Sequence, residues 1–245
     1  MFILSFRIYF KHILNVIIEI MSKEEFIRLN EEIISCKKCH RLVEFRQKIA
    51  KERRKEFFDQ NYWGKGVPGF GEKNAKLLIL GLAPAAHGAN RTGRVFTGDR
   101  SASFLFNCLK KANFSNNSDS KFLNDGLKVY NTYITCAIKC VPPGDKPLND
   151  ELKNCFGYFK SEFEILKNLK IIVALGKIAF DTCVKFYREN FNYNERVKFG
   201  HGSYFKLPND VLLMGCYHPS PRNVNTGRIN EKQMTQLFKK VKQLV

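Results

Sequence analysis

The sequence predicts an α/β domain built on a parallel sheet, and two observations carry that prediction. Four short apolar runs recur along the 245 residues: 76–82 (KLLILGL), 130–138 (YNTYITCAI), 170–176 (KIIVALG) and 211–217 (VLLMGCY). Each run is apolar continuously instead of at alternate positions, and each ends in a polar or Gly/Pro-containing turn. Strands buried on both faces read this way, whereas half-exposed antiparallel strands alternate. The second observation is that helical segments separate the runs, near 101–112, 149–167 and 177–190, with a last one over 228–244. In such sheets ligands bind beyond the carboxyl ends of the strands, so the residues just after each run are the informative ones.

Ahead of the sheet, residues 1–20 are apolar but interrupted by Arg7, Lys11, His12 and Glu19. Four ionisable groups make a spanning helix costly, and neither a basic start nor a small-residue cleavage site marks a secretion signal. Met21 is followed by Ser22 and Glu25 at capping-box spacing, so residues 1–20 are expected to be an upstream extension of a domain covering 21–245. A helix is expected over 22–35, with Phe26, Leu29, Ile33 and Ile34 on its apolar face. A second, very basic helix is expected over 43–58, followed by a glycine- and aromatic-rich loop from Tyr62 to Gly71. No repeat, low-complexity tract or Pro/Gly-rich linker divides the chain. An intracellular protein is expected.

Lys and Arg outnumber Asp and Glu by 41 to 23, a net charge of +18. Such an excess points to a polyanionic partner, because cations gain free energy by releasing counterions from nucleic acid. A solvated surface that only maintains solubility is the plainer reading, and an anionic membrane surface is a weaker third.

Of eight cysteines, Cys36 and Cys39 form a C-x2-C pair, while Cys140 and Cys155 flank a segment beginning VPPGDKP. Four thiolates suit a structural zinc or an iron–sulfur cluster, and spacing does not separate the two. Disulfides are the alternative, but nothing marks an oxidising compartment. The other four fall within expected strands and helices, where a small buried thiol is ordinary.

After the first run comes GLAPAAHGANRTGRVFTGDRSASFLF, residues 81–106, which is neither a Walker A loop nor a dinucleotide turn. Its small residues let a ligand approach the backbone closely. Phe96 could offer a ring face to a base, or be a core plug. Asp99 precedes the helix expected from Ser101, which makes it a candidate N-cap. After the last run comes YHPSPRNVNTGR, where His218, at a strand end and before a proline, is placed to donate to developing negative charge. Arg222, Asn223 and Asn225 are of the types that contact phosphates or fill a groove.

Four segments together, GLAPAAHGANRTGRVFTGDRS, CVPPGDKP, VALGKIAFD and HPSPRNVNTGR, resemble the family 5 (type b) uracil-DNA glycosylases, an iron–sulfur branch of the uracil-DNA glycosylase superfamily. The resemblance runs from about Cys36 to the C-terminus with the motifs in order. It implies a single three-layer α/β/α domain around a four-stranded parallel sheet. It implies a 4Fe-4S cluster on Cys36, Cys39, Cys140 and Cys155 that pins the N-terminal helices and the 140–155 loop to the core without redox chemistry. It implies that Phe96 stacks on a flipped base, that backbone near Gly81 and Leu82 meets the base edge, and that His218 stabilises the departing base at O2. The Pro221–Gly227 loop would enter the minor groove. The expected activity is monofunctional excision of uracil, opening base-excision repair.

Four positions depart from superfamily patterns. Ala85 and Ala86 stand where many relatives carry a water-orienting Asp, Glu or Asn, a lack that family 5 shares. Asp99 is then the leading candidate to position water, with His87 second. An alanine-lined pocket also fits a broad range of deaminated bases, including hypoxanthine and hydroxymethyluracil. Asp145 replaces a frequent Asn and is a candidate base-reading side chain, and Cys136 stands where some branches place a recognition Asn. The competing readings are a non-catalytic iron–sulfur nucleic-acid-binding protein and a hydrolase of free nucleosides; the +18 charge argues against the second. A monomer suffices for the chemistry. A cytoplasmic, nucleoid-associated location is expected, and a replication clamp is a further candidate partner that no residue identifies.

Overall fold

The computed structural model describes residues 24–245, so the expected extension over 1–20 and the cap at Ser22 lie outside the described residues. A first helix, α1, occupies 24–35, and α2 spans His40–Glu52. The elements that follow in chain order are β1 (Phe70–Gly71), β2 (Leu77–Gly81), α3 (Ala89–Thr92), α4 (Arg100–Lys111), β3 (Thr132–Cys136) and α5 (Asn149–Ile165). They are followed by β4 (Ile171–Leu175), α6 (Lys177–Phe191), β5 (Tyr204–Lys206), β6 (Leu212–Cys216), α7 (Pro221–Asn225) and α8 (Glu231–Lys242).

The four apolar runs are the four parallel strands, in the order β3-β2-β4-β6. Every residue of β2, β3 and β4 is buried, which is why those segments are apolar without alternation. Alternate residues along each strand serve opposite layers. Leu77, Ile79, Ile134, Val173 and Met214 pack with Leu105, Phe106 and Leu109 of α4 and Met234, Leu237 and Phe238 of α8. Leu78, Leu80, Ile172, Ala174 and Leu213 pack against Phe159 and Phe163 of α5 and Phe180, Phe186 and Tyr187 of α6. This is the expected three-layer α/β/α arrangement. Two short antiparallel strands extend the sheet to six, β1 beside β3 and β5 beside β6. At two and three residues they are too short to leave a strand pattern in the sequence.

The N-terminal helices form a separate apolar cluster, in which Leu29 and Ile33 of α1 and Leu42 of α2 meet Ile138, Cys140, Cys155 and Ile165. The second helix departs from its expected span of 43–58. It begins at His40 and ends at Glu52, where Arg53 turns to φ 52°, and a single 3-10 turn follows at Lys55–Phe57. The physical reason lies in the Arg53 guanidinium, which donates to the Phe58 carbonyl (2.8 Å) and to Asn61 (3.3 Å), holding the chain in a turn that its strong helix formers do not favour. Among the described residues, no helix is long and apolar enough to cross a membrane.

Candidate active site

The strand order reverses between the neighbours β2 and β4: the chain leaves β2 towards β3 on one side and leaves β4 towards β6 on the other. A cleft of about 1740 Å³ opens there, lined by the segments that leave β2, β4 and β6. Leu82 and Ala85 line it from β2, Gly176 from β4 and His218 from β6. The cleft also holds Phe96, Asp99 and Asp145, so these three converge with Leu82 and His218, while Gly81, Arg222, Asn223 and Asn225 lie outside its lining.

His218 follows β6 directly and is fixed from two sides. Its carbonyl accepts from Nδ2 of Asn223 at 2.8 Å, and its Cβ packs near Gly176. Its ring lies 6.0 Å from that of Phe96, tilted by 33°. Burial pushes the imidazole pKa down to about 4, so the ring is neutral at physiological pH. A neutral imidazole still carries one N–H, and can donate it without adding a proton to a leaving group.

Phe96 sits at φ 47°, a backbone conformation that a bulky side chain rarely adopts. Its ring is laid across the end of β2: a Cβ on Gly81 would lie 2.9 Å from two of its ring carbons. The absence of a side chain at Gly81 is therefore what admits the ring. The same imaginary Cβ would lie 3.4 Å from the Cys136 sulfur, whose thiol is buried and pushed up to about 12. Cys136 thus packs behind the ring, outside the lining of the cleft. The carbonyls of Gly81 and Leu82 accept from the amides of Ala137 (2.9 Å) and Ile138 (3.1 Å), tying β2 to the exit of β3. Leu82, not Gly81, faces the cleft.

Asp99 caps α4 and also lines the cleft. Its Oδ1 accepts from the Ala102 amide at 3.0 Å and so caps α4, while Oδ2 lies over Gly88, 2.0 Å from where a Cβ would be. Burial raises its carboxyl above the usual range, opposed by the Ala102 and Ser101 amides and by Arg91. Asp145 is exposed at the cleft margin, at φ 57° in a tight turn over Pro143–Asp145. His87 bonds through Nδ1 to the Tyr62 hydroxyl at 3.0 Å, and burial, with Arg54 and Arg91, holds its pKa down.

The segment expected as a loop over Pro221–Gly227 begins instead as the short helix α7. Ser220 is its N-cap, with Oγ accepting from the Asn223 amide at 3.3 Å, and Pro221 occupies the first helical position. Ser followed by Pro is the signal for such a start, and the sequence reading passed over it. Arg222 and Asn225 are exposed, whereas the side chain of Asn223 is committed to the His218 carbonyl.

The four cysteines gather beyond the carboxyl end of β3, which Cys140 follows by four residues. Cys36, Cys39, Cys140 and Cys155 line one small cavity together with Leu42 and Lys139. Among the described residues they do not close into a single-ion cage. One zinc would draw sulfurs to within about 4 Å of each other, given Zn–S bonds near 2.3 Å. Sequence reasoning missed what surrounds them. Arg46, almost fully buried, donates to Cys140 Sγ at 2.9 Å and to the Cys36 carbonyl at 2.8 Å. Arg41 clamps Glu151 with two bonds of 2.7 and 2.6 Å, joining α2 to α5. Lys139 and Glu162, both about 1% exposed, pair at 2.6 Å beneath the cavity.

A cleft at the switch point of a parallel sheet, lined by Phe96 and the buried ring of His218, defines an α/β protein with a binding site beyond its strand ends. The comparisons with known proteins make this specific. The family model of the uracil DNA glycosylase superfamily matches residues 68–242. A protein of Mycobacterium tuberculosis named Type-5 uracil-DNA glycosylase is 42% identical over 217 residues, covering 88% of this chain and 80% of its own. Proteins of the same name from Thermus thermophilus and Pyrobaculum aerophilum are 36% and 38% identical, over 91% and 85% of this chain and 99% and 88% of their own. The chain belongs to the uracil-DNA glycosylase superfamily, as the motifs led us to expect.

Proposed function

We infer that this chain is a uracil-DNA glycosylase, an N-glycosidic bond hydrolase that takes uracil from DNA. The observation that carries the reading is the pairing of Phe96 with His218 across the cleft that the family's catalytic segments line. An extruded base slides in against Phe96, whose backbone stands at φ 47° and whose ring lies in the space that Gly81 leaves open. Stacking there offsets part of the cost of leaving the duplex stack. As the glycosidic bond lengthens, negative charge builds on the base, and the neutral His218 ring donates to its O2 oxygen. Asp99, held over Gly88 with one oxygen occupied by the Ala102 amide, has its second oxygen available to orient a water towards the sugar. Ala85 leaves that corner without a side chain that selects bases sharply, which supports a range extending to hypoxanthine and hydroxymethyluracil. Asp145 at the margin is placed to read the base edge, and Arg222 and Asn225 of α7 to meet the DNA backbone.

Cys36, Cys39, Cys140 and Cys155 would hold a 4Fe-4S cluster. They fit it: the Arg46 guanidinium is buried against them without a carboxylate partner among the described residues, and its Nε has no acceptor there. A buried cation needs a nearby anion, and a thiolate-bound cluster is one. Bound there, the cluster supplies cross-linking of α1, α2 and the 140–155 segment, not redox chemistry. The partner is DNA, with one chain sufficient, in a domain extending from 21 to the C-terminus and acting in the cytoplasm.

The test is a labelled duplex with one U·G mismatch, incubated with wild type or His218→Ala and then treated with alkali. Alkali-dependent cleavage at the uracil by wild type, reduced in the variant by a factor on the order of 10²–10³, is the expected result for loss of a charge-stabilising donor. Equal cleavage by both proteins removes His218 from the mechanism. No cleavage of any deaminated-base substrate by wild type favours a non-catalytic DNA-binding scaffold.

A further inference from the structure

Residues 115–129 form a loop between α4 and β3 whose outer tip is apolar. Phe122 and Leu123 are consecutive and 56% and 49% exposed, and Phe122 stands on the rim of the cleft that holds His218. Exposed apolar pairs on slack loops are common and mean little. This loop, however, is held tightly. The Asp125 carboxylate accepts from the amides of Lys121 (2.8 Å), Phe122 (3.3 Å) and Leu127 (3.0 Å), and pairs with Arg94 at 2.7 Å. Arg94, 4% exposed, also donates to the Leu123 carbonyl (2.9 Å) and to the hydroxyls of Ser120 and Thr97 (both 2.9 Å). The Gly98 amide donates to the Ser120 carbonyl at 2.7 Å. The same residues that flank Phe96 in the chain thus fix the backbone of Phe122 and Leu123, so the base platform and the apolar tip are one rigid unit.

Resting on the glycosylase reading above, we propose that Phe122 and Leu123 are a wedge that enters duplex DNA beside the extruded nucleotide and stacks on the bases it leaves behind. Charge favours this occupant. The carboxylates near the tip are engaged internally, Asp125 as described and Asp119 by Ser103, the Ser120 amide and Lys121. Exposed Arg100 stands at the same rim, and Lys121 balances Asp119 there, on a chain of net charge +18. An apolar tip flanked by cations matches a stack of bases between phosphates, and apolar residues inserted between base steps are a known way of holding DNA open. The rigid mounting fits the geometry, since a wedge that yields cannot keep a base step apart.

The test compares excision of uracil from a duplex and from the same single strand by wild type, Phe122→Ala, Leu123→Ala, the double variant and Phe122→Trp. A second readout is the fluorescence of 2-aminopurine placed next to the uracil, which rises when its neighbour is unstacked. The double variant is expected to lower the duplex-to-single-strand activity ratio about tenfold, within the range that stacking on one or two bases supports. It should also lose most of the fluorescence rise, while Phe122→Trp keeps both. If the double variant retains the ratio and the fluorescence rise, the wedge is refuted and the glycosylase reading stands. If wild type excises from neither substrate, both fall.

Discussion

The guanidinium of Arg46 donates to Cys140 Sγ at 2.9 Å from within the core, with no carboxylate beside it among the described residues. Its second terminal nitrogen holds the Cys36 carbonyl, so one side chain spans both halves of the cysteine set. Hydrogen bonds and cations beside cluster sulfurs stabilise the thiolate form and screen the cluster's charge. Arg46→Met removes both while preserving bulk, and is expected to lower cluster retention by about tenfold, the lower end of what such supporting residues contribute. Iron and sulfide per chain, and the rate at which absorbance near ~400 nm bleaches in air, measure this without reference to activity. Arg46→Lys keeps the charge and should fall between the two. Full iron content in Arg46→Met would show that the contact is packing alone.

Asp99 serves as a helix cap and faces the cleft, and two substitutions separate those roles. Asn caps helices about as well as Asp, whereas Ala costs about 1 kcal/mol. Asp99→Asn is therefore expected to keep the melting temperature and lower single-turnover excision on the order of 10²-fold, the share typical of a group that orients water or takes its proton. Asp99→Ala should lose both. If Asp99→Asn excises uracil at the wild-type rate, the residue is a cap and the water is held elsewhere, with His87 next to be substituted.

The Lys139–Glu162 pair is fully enclosed, and it is not isolated. Lys139 also donates to Thr135 Oγ1 (2.6 Å) and the Cys136 carbonyl (3.0 Å), while Glu162 accepts from Thr135 and from the Tyr133 hydroxyl. Removing one partner of such a pair leaves a buried charge, at a cost of about 3–5 kcal/mol. Lys139→Met is therefore expected to be severely destabilising in a denaturant melt. Adding Glu162→Gln, which removes the orphaned charge and keeps an acceptor for the two hydroxyls, should recover most of the loss. A double variant as unstable as the single one would place the cost in lost packing.

How far the sequence foretold this molecule depended on the range of the interaction involved. The strands were legible because burial on both faces writes itself into consecutive residues: Leu77–Gly81 or Ile171–Leu175 can hardly be read otherwise. His218, Phe96 and Asp99 were legible as candidates because the segments that leave strands at a switch point are where site residues fall, and because the motifs resemble those of a family. What stayed hidden was pairing at long range. Nothing in the sequence near Arg46 announces Cys140, 94 residues on, or near Arg94 announces Asp125, 31 residues on. The early end of α2 was hidden for a related reason, since Arg53 is a good helix former overruled by a bond to the Phe58 carbonyl. The start of α7 was present in the sequence as Ser220–Pro221 and was simply outweighed by the expectation of a groove-entering loop.

The neutral state of His218 leads to a pH dependence in both rate and stability. With a pKa near 4 instead of 6.5, the ring should not titrate between pH 8 and pH 5, so no acid limb from His218 is expected in that range. For stability, the native ring binds no proton between pH 6.5 and about 4 while the unfolded chain does, so its contribution is present above 6.5 and is lost as pH falls through that window. His87 and His201, also lowered by burial, act in the same direction, and Asp99, whose pKa is raised, loses stability as pH rises above the ordinary carboxylate range. The informative quantity is therefore the difference between wild type and His218→Gln, measured by thermal melts from pH 7.5 to 4.5. Wild type should lose more stability than the variant as pH falls, with the gap opening below about 6.5. Parallel curves, together with an acid limb in kcat/KM near 6.5, would mean that the ring is solvated and charges normally, and that the base leaves with help from an imidazolium instead of a neutral donor.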